Sequence, residues 1–214
     1  MRTIPIVTGE YYHVYNRGVD KRIVFDRFGH YRRFLSTIHS ILLTGSATQR
    51  HFYNQSLALK YKIEIIAYCL MPNHYHLLLH QLANEGITEF MHKLDTSYTK
   101  YINLNRHRTG RFFENTFKAR HIDNTDMFLH VARYIHLNPV ITQLVPSLDL
   151  WPWSSYLETI GKREKTFCSI MQILACFPKE QAMNKYEEFV TNQQAYAQLI
   201  HEIHELKDED SIFL

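Results

Sequence analysis

The sequence predicts an α+β fold of the ferredoxin-like, split β-α-β type with an antiparallel sheet. Two kinds of pattern support this fold class: short aromatic or β-branched runs typical of strands, and apolar stripes at helical spacing. Their order is strand, helix, strand, strand, helix, strand, which is the split β-α-β order, and one more helix follows. The 214 residues are 45% apolar, enough for a sizeable core.

The first strand and the first helix are predicted in the N-terminal part of the chain. Tyr11–Asn16 reads YYHVYN and stops at Gly18, which favours a strand. Asp26 is a candidate helix cap. The apolar residues after it recur at helical spacing: Phe28, Tyr31, Leu35, Ile38 and Leu42. Gly45–Asn54 is polar and predicts a loop.

A hairpin is predicted over residues 62–80. The segments KIEIIAYCL and HYHLLLH favour strands, and the tight break Met71-Pro72-Asn73 separates them. A long amphipathic helix follows, because an apolar stripe runs over four turns. Its members are Ile87, Phe90, Met91, Leu94, Tyr98 and Tyr101, and we interpret the two tyrosines as core residues.

The next segments complete the predicted domain. A basic run over residues 105–111 ends the long helix, and Phe112–Ile122 is predicted to be extended. Phe128, Val131, Ala132 and Ile135 then indicate a third helix that stops near Pro139. We predict a domain over residues 1–156 and a mostly helical extension of unknown role over residues 157–214.

Charge and composition exclude several classes of protein. Residues 1–150 carry 18 Lys and Arg against 11 Asp and Glu, whereas residues 151–214 carry 6 against 10. A basic body is typical of a protein that binds nucleic acid, although charge alone favours a solvated surface. No stretch approaches the roughly 18–20 apolar residues of a membrane span. Three cysteines and no secretory leader favour a reduced, cytoplasmic protein.

His74 and His76 are separated by one residue on a predicted strand. Side chains at positions i and i+2 of a strand point to the same face, so both imidazoles can reach one ion. The alternative is that they are two ordinary strand histidines, since the chain contains 14 histidines.

Tyr134 and Asn138 are four residues apart in the third helix and share one face. His130 lies one turn earlier on the same row. This polar row could simply be exposed to solvent. Because a residue before proline is pushed out of helical geometry, Asn138 could also lie at the end of the helix, just before Pro139.

Four motifs together resemble a known family. NHYHLLL, SYTKYINLNRHRTGRFFENTFKARHI, YIHLNPV followed by WPWSSY, and the opening YHVYNRG resemble the single-tyrosine HUH transposases. The match is greatest with the REP-associated tyrosine transposases and spans about Tyr11 to Tyr156. The resemblance implies a ferredoxin-like fold in which His74, His76 and Asn138 bind a divalent cation and Tyr134 is the nucleophile.

The resemblance also implies a reaction and a substrate. Such enzymes cut single-stranded DNA and rejoin it through a 5′-phosphotyrosine, and the REP-associated group acts on imperfect hairpins. Two imidazoles and an amide oxygen suit Mg²⁺ or Mn²⁺. The predicted DNA contacts are Arg17, Arg106, Arg108, Arg111, Lys118 and Arg120, with Asn16 as a weaker candidate. Phe112, Phe113 and Phe117 could stack on bases or fill the core.

Some residues depart from the family pattern or stay open. Glu114-Asn115-Thr116 stands where the family commonly has Gln-Gly-Arg, and an acid there could alter DNA contacts. His136 is either an extra proton carrier or a surface histidine, and we favour the surface histidine. A DNA-binding regulator without catalysis is the alternative function, and a metalloprotein using His74, His76 and His130 is a third. The sequence leaves a monomer and a homodimer equally open.

Overall fold

Four strands form one antiparallel sheet in the computed structural model, which describes residues 5–44 and 62–192. The strands are β1 (Tyr11–Arg17), β2 (Ile63–Met71), β3 (His74–Gln81) and β4 (Lys118–Ile122). Their order across the sheet is β2-β3-β1-β4, and all three neighbouring pairs are antiparallel. Strands β3 and β1 are therefore the two central strands of the sheet.

Three long helices lie between and after the strands. They are α1 (Phe28–Thr44), α2 (Gly86–Asn105) and α3 (Thr125–Ile141). The first six elements thus follow the predicted order, and the predicted α+β class with an antiparallel sheet is confirmed. The predicted hairpin is also present, since β2 and β3 are joined directly through Pro72 and Asn73.

The helices cover the two faces of the sheet unequally. Helices α1 and α2 pack on one face, where Phe34 lies 5.0 Å from the ring of Tyr75 and 5.1 Å from that of Tyr98. Helix α3 packs on the other face, where Tyr134 lies 5.6 Å from the ring of His76. Because strand side chains alternate, Tyr75 belongs to the first face and its neighbours His74 and His76 to the second.

Two predicted boundaries in this region are wrong. The extended segment Phe112–Ile122 becomes a strand only from Lys118. The third helix does not stop near Pro139 but continues to Ile141, with Asn138 inside it. Pro139 has no N–H for the Ile135 carbonyl, yet the helix closes its last turn through a hydrogen bond from Thr142 N to Asn138 O (3.0 Å).

Residues after Trp151 pack along the outer edge of β2. Backbone hydrogen bonds join Leu70 N to Trp153 O (2.9 Å), Ser155 N to Tyr68 O (3.0 Å) and Ser169 N to Ile65 O (2.8 Å). Up to residue 192, where the description ends, three more α-helices come later in the sequence: α4 (Tyr156–Thr159), α5 (Met171–Leu174) and α6 (Ala182–Thr191). The domain boundary predicted at residue 156 stays a prediction.

His136 is buried, so its interpretation as a surface histidine is wrong. Its Nδ1 lies 2.7 Å from the Tyr186 hydroxyl and its Nε2 lies 2.8 Å from Ser155 Oγ. Burial lowers the pKa of His136 to about 3, which keeps the ring neutral. The histidine therefore ties helix α3 to helices α4 and α6.

Two predictions fall outside the described residues. The Gly45–Asn54 loop and the acidic run over residues 202–210 lie in parts of the chain that the structure does not describe. Within the described ranges, no helix is both long enough and apolar enough to span a bilayer.

Candidate active site

The register of the central strands places His74 and His76 on one face of the sheet. Arg17 on β1 pairs with His74, and Tyr15 pairs with His76. The two imidazole rings lie 4.8 Å apart and are almost perpendicular, at 89°. The period-two argument thus places both histidines on one face, beneath helix α3.

The turn before His74 is held by the backbone. Gly18 N donates to Asn73 O (2.9 Å), and the N–H groups of Val24 and Phe25 both donate to Pro72 O (2.7 and 2.9 Å). These three bonds fix the start of β3 against the loop that follows β1. The position of His74 is therefore set by the hairpin turn as well as by the strand.

Helix α3 brings Tyr134 and Asn138 to the histidines. The Asn138 side chain forms hydrogen bonds with both His74 and the Tyr134 side chain, and its Nδ2 also donates to Tyr134 O (3.1 Å). Asn138 is buried, with 4% of its surface exposed. The four predicted site residues His74, His76, Tyr134 and Asn138 are thus brought together.

Each of the paired histidines has its Nδ1 in a hydrogen bond. His74 Nδ1 lies 2.6 Å from Asn73 Oδ1, and His76 Nδ1 lies 2.9 Å from His13 Nε2. Sequence reasoning missed His13 and Asn73. The alternation of Tyr11, His13 and Tyr15 along β1 is a signal for His13, but it does not say which strand lies beside β1.

Burial decides the protonation of the site. It lowers the pKa of His74 to about 4 and that of His13 to about 3, and it holds the pKa of His76 well below its usual value. The imidazoles are therefore neutral at pH 7, the form that binds metal ions. Burial also raises the pKa of Tyr134 to about 12, although the hydrogen bond with Asn138 acts in the opposite direction.

The side chains present fit a small divalent cation. Two neutral imidazoles and one amide oxygen form a mixed nitrogen and oxygen donor set, which Mn²⁺ and Mg²⁺ accept. Within residues 5–44 and 62–192, no three or more His, Cys, Asp or Glu side chains are grouped so that they could hold a metal ion.

Three of the predicted DNA contacts surround this site. Arg17 lies opposite His74 and forms an ion pair with Glu114 (3.1 Å). Lys118 lies over the ring of Tyr15, with its Nζ 6.0 Å from the ring centre. Arg120 pairs with His13 across the sheet and is exposed. Glu114, the acid that departs from the family pattern, thus pairs with Arg17, a predicted DNA contact.

The other three predicted contacts lie beyond the end of α2. Arg106 donates to Ile23 O (3.2 Å) and to Asp26 Oδ2 (3.0 Å), and its guanidinium lies 5.4 Å from the ring centre of Phe112. Arg108 lies at a similar distance from the same ring, 5.3 Å, and donates to Arg111 O (3.1 Å). Arg111 is exposed.

The structure decides between the two roles left open for the phenylalanines. Phe112, Phe113 and Phe117 are 0%, 5% and 5% exposed, so they fill the core and do not offer surfaces for base stacking. Asn16 is also buried and donates from Nδ2 to Asp95 Oδ2 (3.0 Å) and to Asn115 O (3.0 Å). Its side chain is on the sheet face opposite the histidines, so it is not placed as a DNA contact at this site.

His130 is directed away from the histidine pair. It is exposed, its Nδ1 lies 2.5 Å from Arg133 Nη2, and its ring contacts Phe189 of α6. A site made of His74, His76 and His130 has no support from these contacts.

Comparison with known families identifies the chain. The sequence pattern of the family described as Transposase IS200 like matches residues 29–138, just over half of the chain. The chain belongs to the IS200-like transposase family. This membership gives it the role of a DNA transposase.

Comparison with solved structures supports the same fold for this IS200-like transposase. A REP-associated tyrosine transposase bound to a REP hairpin aligns with a TM-score of 0.59 and 16% identity, covering 78% of this chain and 88% of that one. A tRNA(His) guanylyltransferase from Saccharomyces cerevisiae aligns with a TM-score of only 0.41 and 11% identity, covering 96% and 83%, and carries no argument. Among curated proteins, none matches the sequence significantly.

Proposed function

We propose that this transposase is a metal-dependent single-stranded DNA endonuclease and strand transferase that works through a 5′-phosphotyrosine. The observation that carries the proposal is the position of Asn138, whose side chain is hydrogen-bonded to both His74 and Tyr134. The Asn138 amide group thus joins the proposed nucleophile, Tyr134, to His74 of the proposed metal donor set. That juxtaposition suits attack on a phosphodiester next to a cation.

Tyr134 is the proposed nucleophile. Its hydroxyl oxygen attacks the phosphorus of the scissile phosphodiester, and the bond from phosphorus to the 3′ oxygen breaks. The phenolic proton is lost from Tyr134 and a proton is gained by the departing 3′ oxygen, so the exchange is balanced. Attack by another 3′ hydroxyl on the phosphotyrosine then breaks the bond between phosphorus and the Tyr134 oxygen and joins a new strand. The attacking hydroxyl loses its proton and Tyr134 regains one, so no nucleotide cofactor is needed.

The neighbours of Tyr134 prepare this hydroxyl. The pKa of about 12 means that Tyr134 is protonated at neutral pH and needs help to ionise. The hydrogen bond with Asn138 favours the ionised form and orients the side chain. His74, His76 and Asn138 would hold Mg²⁺ or Mn²⁺, which would polarise the phosphate and offset the charge that develops on it.

Basic side chains on β4 and β1 form the proposed path for DNA. Lys118 and Arg120 are exposed on β4, and Arg17 lies opposite His74. Phosphate contacts of this kind supply most of the affinity for nucleic acid. The structural relative was solved with a REP hairpin, which supports an imperfect hairpin as the ligand of this chain.

A covalent-adduct assay tests the proposal. Wild type, Tyr134→Phe and Tyr101→Phe are incubated with a labelled single-stranded hairpin and Mn²⁺ and then denatured. Tyr101 is a matched control, since it is a half-buried tyrosine on α2. We expect labelled protein for the wild type and for Tyr101→Phe but none for Tyr134→Phe, with hairpin binding equal in all three.

Two outcomes would contradict the proposal. A labelled band that persists in Tyr134→Phe would mean that another residue attacks the phosphate. A wild type that binds the hairpin in Mn²⁺ but never cleaves it would favour a regulator without catalysis.

A further inference from the structure

A third histidine lies beneath helix α3, beside the proposed metal ligands. His13 on β1 is 4% exposed, and its ring stacks against that of His76 at 5.1 Å and 27°. Its Nε2 lies 2.9 Å from His76 Nδ1. The rings of His13 and Tyr134 also pack edge to face, with their centres 6.0 Å apart at 73°. His13 therefore touches both a proposed ligand and the proposed nucleophile.

The bond between His13 and His76 has two possible directions. Both rings are buried, and a single hydrogen bond joins His13 Nε2 to His76 Nδ1. A neutral imidazole has one N–H and one lone pair, so one ring donates and the other accepts. If His13 donates, then His76 carries its own proton on Nε2 and that atom cannot bind a metal. If His76 donates from Nδ1, its Nε2 keeps a lone pair.

We propose that His13 is a positioning residue for the cation site, which accepts the Nδ1 proton of His76 and so holds His76 in its metal-binding tautomer. The inference rests on the proposed metal-dependent function. Ligating histidines in proteins usually donate their second ring N–H to a neighbouring acceptor, which fixes both tautomer and ring orientation. At this site the acceptor is another imidazole.

The other ligand histidine has a fixed acceptor. Asn73 Oδ1 lies 2.6 Å from His74 Nδ1, and an amide oxygen can only accept a hydrogen bond. This contact therefore favours the Nδ1–H tautomer of His74. His13 can donate or accept, so the His13–His76 pair changes tautomer together and a bound cation selects one arrangement.

Direct measurement of Mn²⁺ affinity separates this role from simple packing. Two variants of the full chain are compared with the wild type. His13→Leu removes the hydrogen-bond acceptor. His13→Gln keeps an acceptor, because Oε1 of glutamine lies about as far from Cα as Nε2 of histidine. Loss of such a supporting partner typically weakens metal binding by about 10–100-fold. We expect that loss for His13→Leu in calorimetric titration with Mn²⁺, and recovery of most of it for His13→Gln.

Two controls accompany this titration. His74→Ala removes a proposed ligand and should abolish Mn²⁺ binding. Binding of a fluorescent hairpin in EDTA should stay the same for all variants, because that binding depends on phosphate contacts and not on the ion.

Each result has one meaning. Equal Mn²⁺ affinity in wild type and His13→Leu, with loss in His74→Ala, would overturn the role of His13 and leave the proposed function standing. Failure of His13→Gln to recover affinity would overturn it too, since acceptance would not be what matters. Unchanged Mn²⁺ binding by His74→Ala would instead remove the proposed metal site itself.

A measurement on the wild type avoids any dependence on the folding of variants. Long-range proton–nitrogen NMR spectra of the ¹⁵N-histidine-labelled protein with saturating Mg²⁺ report which ring nitrogen of His76 carries hydrogen. We expect hydrogen on Nδ1, whereas hydrogen on Nε2 would overturn the proposal.

Discussion

Replacement of His136 by Phe should destabilise the protein without removing any proposed site residue. The phenyl ring keeps most of the volume of the imidazole but loses both nitrogens. Two fully buried hydroxyl groups then lose a partner, Tyr186 at 2.7 Å and Ser155 at 2.8 Å. A buried polar group left unpaired costs about 1–3 kcal/mol.

The magnitude follows from what each hydroxyl has left. Ser155 Oγ still accepts from Tyr68 N (2.9 Å) and lies 3.4 Å from Tyr68 O, so its loss falls at the low end of that range. No second partner of the Tyr186 hydroxyl is known among the described residues, so its loss falls higher. We therefore expect the free energy of unfolding to fall by about 2–4 kcal/mol.

Urea unfolding of four proteins tests this reasoning. The set is wild type, His136→Phe, Tyr186→Phe and the double variant. Tyr186→Phe should be destabilising in the wild type but nearly neutral in the His136→Phe background, because it then removes a hydroxyl that is already unpaired. A cost below about 0.5 kcal/mol for His136→Phe, or an equal cost of Tyr186→Phe in both backgrounds, would refute the argument.

Two further predictions concern DNA binding and pH. Replacing Arg108 and Arg111 together with Ala should weaken hairpin binding and reduce the slope of log affinity against log salt concentration by about 0.7 per lost contact. The control variant, Lys162→Ala with Lys185→Ala, should change neither. Equal slopes for wild type and the arginine variant in binding titrations would mean that the arginines are only solvated. Burial raises the pKa of Asp95 from 3.8 to about 7, so the folded state binds its proton more tightly than the unfolded state does. The free energy of unfolding should therefore fall as pH rises from about 4 to about 7, by up to about 1.4 kcal/mol per pH unit. Urea unfolding of Asp95→Asn over the same pH range should lose this dependence. A pH profile of Asp95→Asn equal to that of the wild type would contradict the shifted pKa.

Local spacing was sufficient to predict which of the candidate site residues share a face, whereas their roles came from the family resemblance. His74 and His76 share a face because a strand repeats every two residues, and Tyr134 and Asn138 share a face because a helix repeats about every four. The sequence could not place Asn138 within or beyond the helix. Pro139 disfavours helical geometry for the residue before it, but burial of Leu137 and Val140 in the last turns of α3 outweighs that preference.

The role of an aromatic residue cannot be predicted from its neighbours in the sequence. Phe112 and Phe113 lie beside arginines in the sequence, which suits either base stacking or a core with a charged rim. Their rings instead pack on Tyr98 of α2 and Tyr75 of β3. Only the tertiary contacts could separate the two roles, because an apolar ring has no local pattern that distinguishes a partner protein, a nucleobase or its own core.

The sequence by itself determined the type and order of the elements, and from that order the class of fold, together with the shared face of each residue pair, because element type and shared face depend on neighbours within about one helical turn. The tertiary structure decided how the pairs meet. Register places His13 beside His76, although 63 residues separate them, and folding of the C-terminal segment buries His136. Such partners are joined by strand order and packing between distant segments, and neither leaves a periodic signal in the chain.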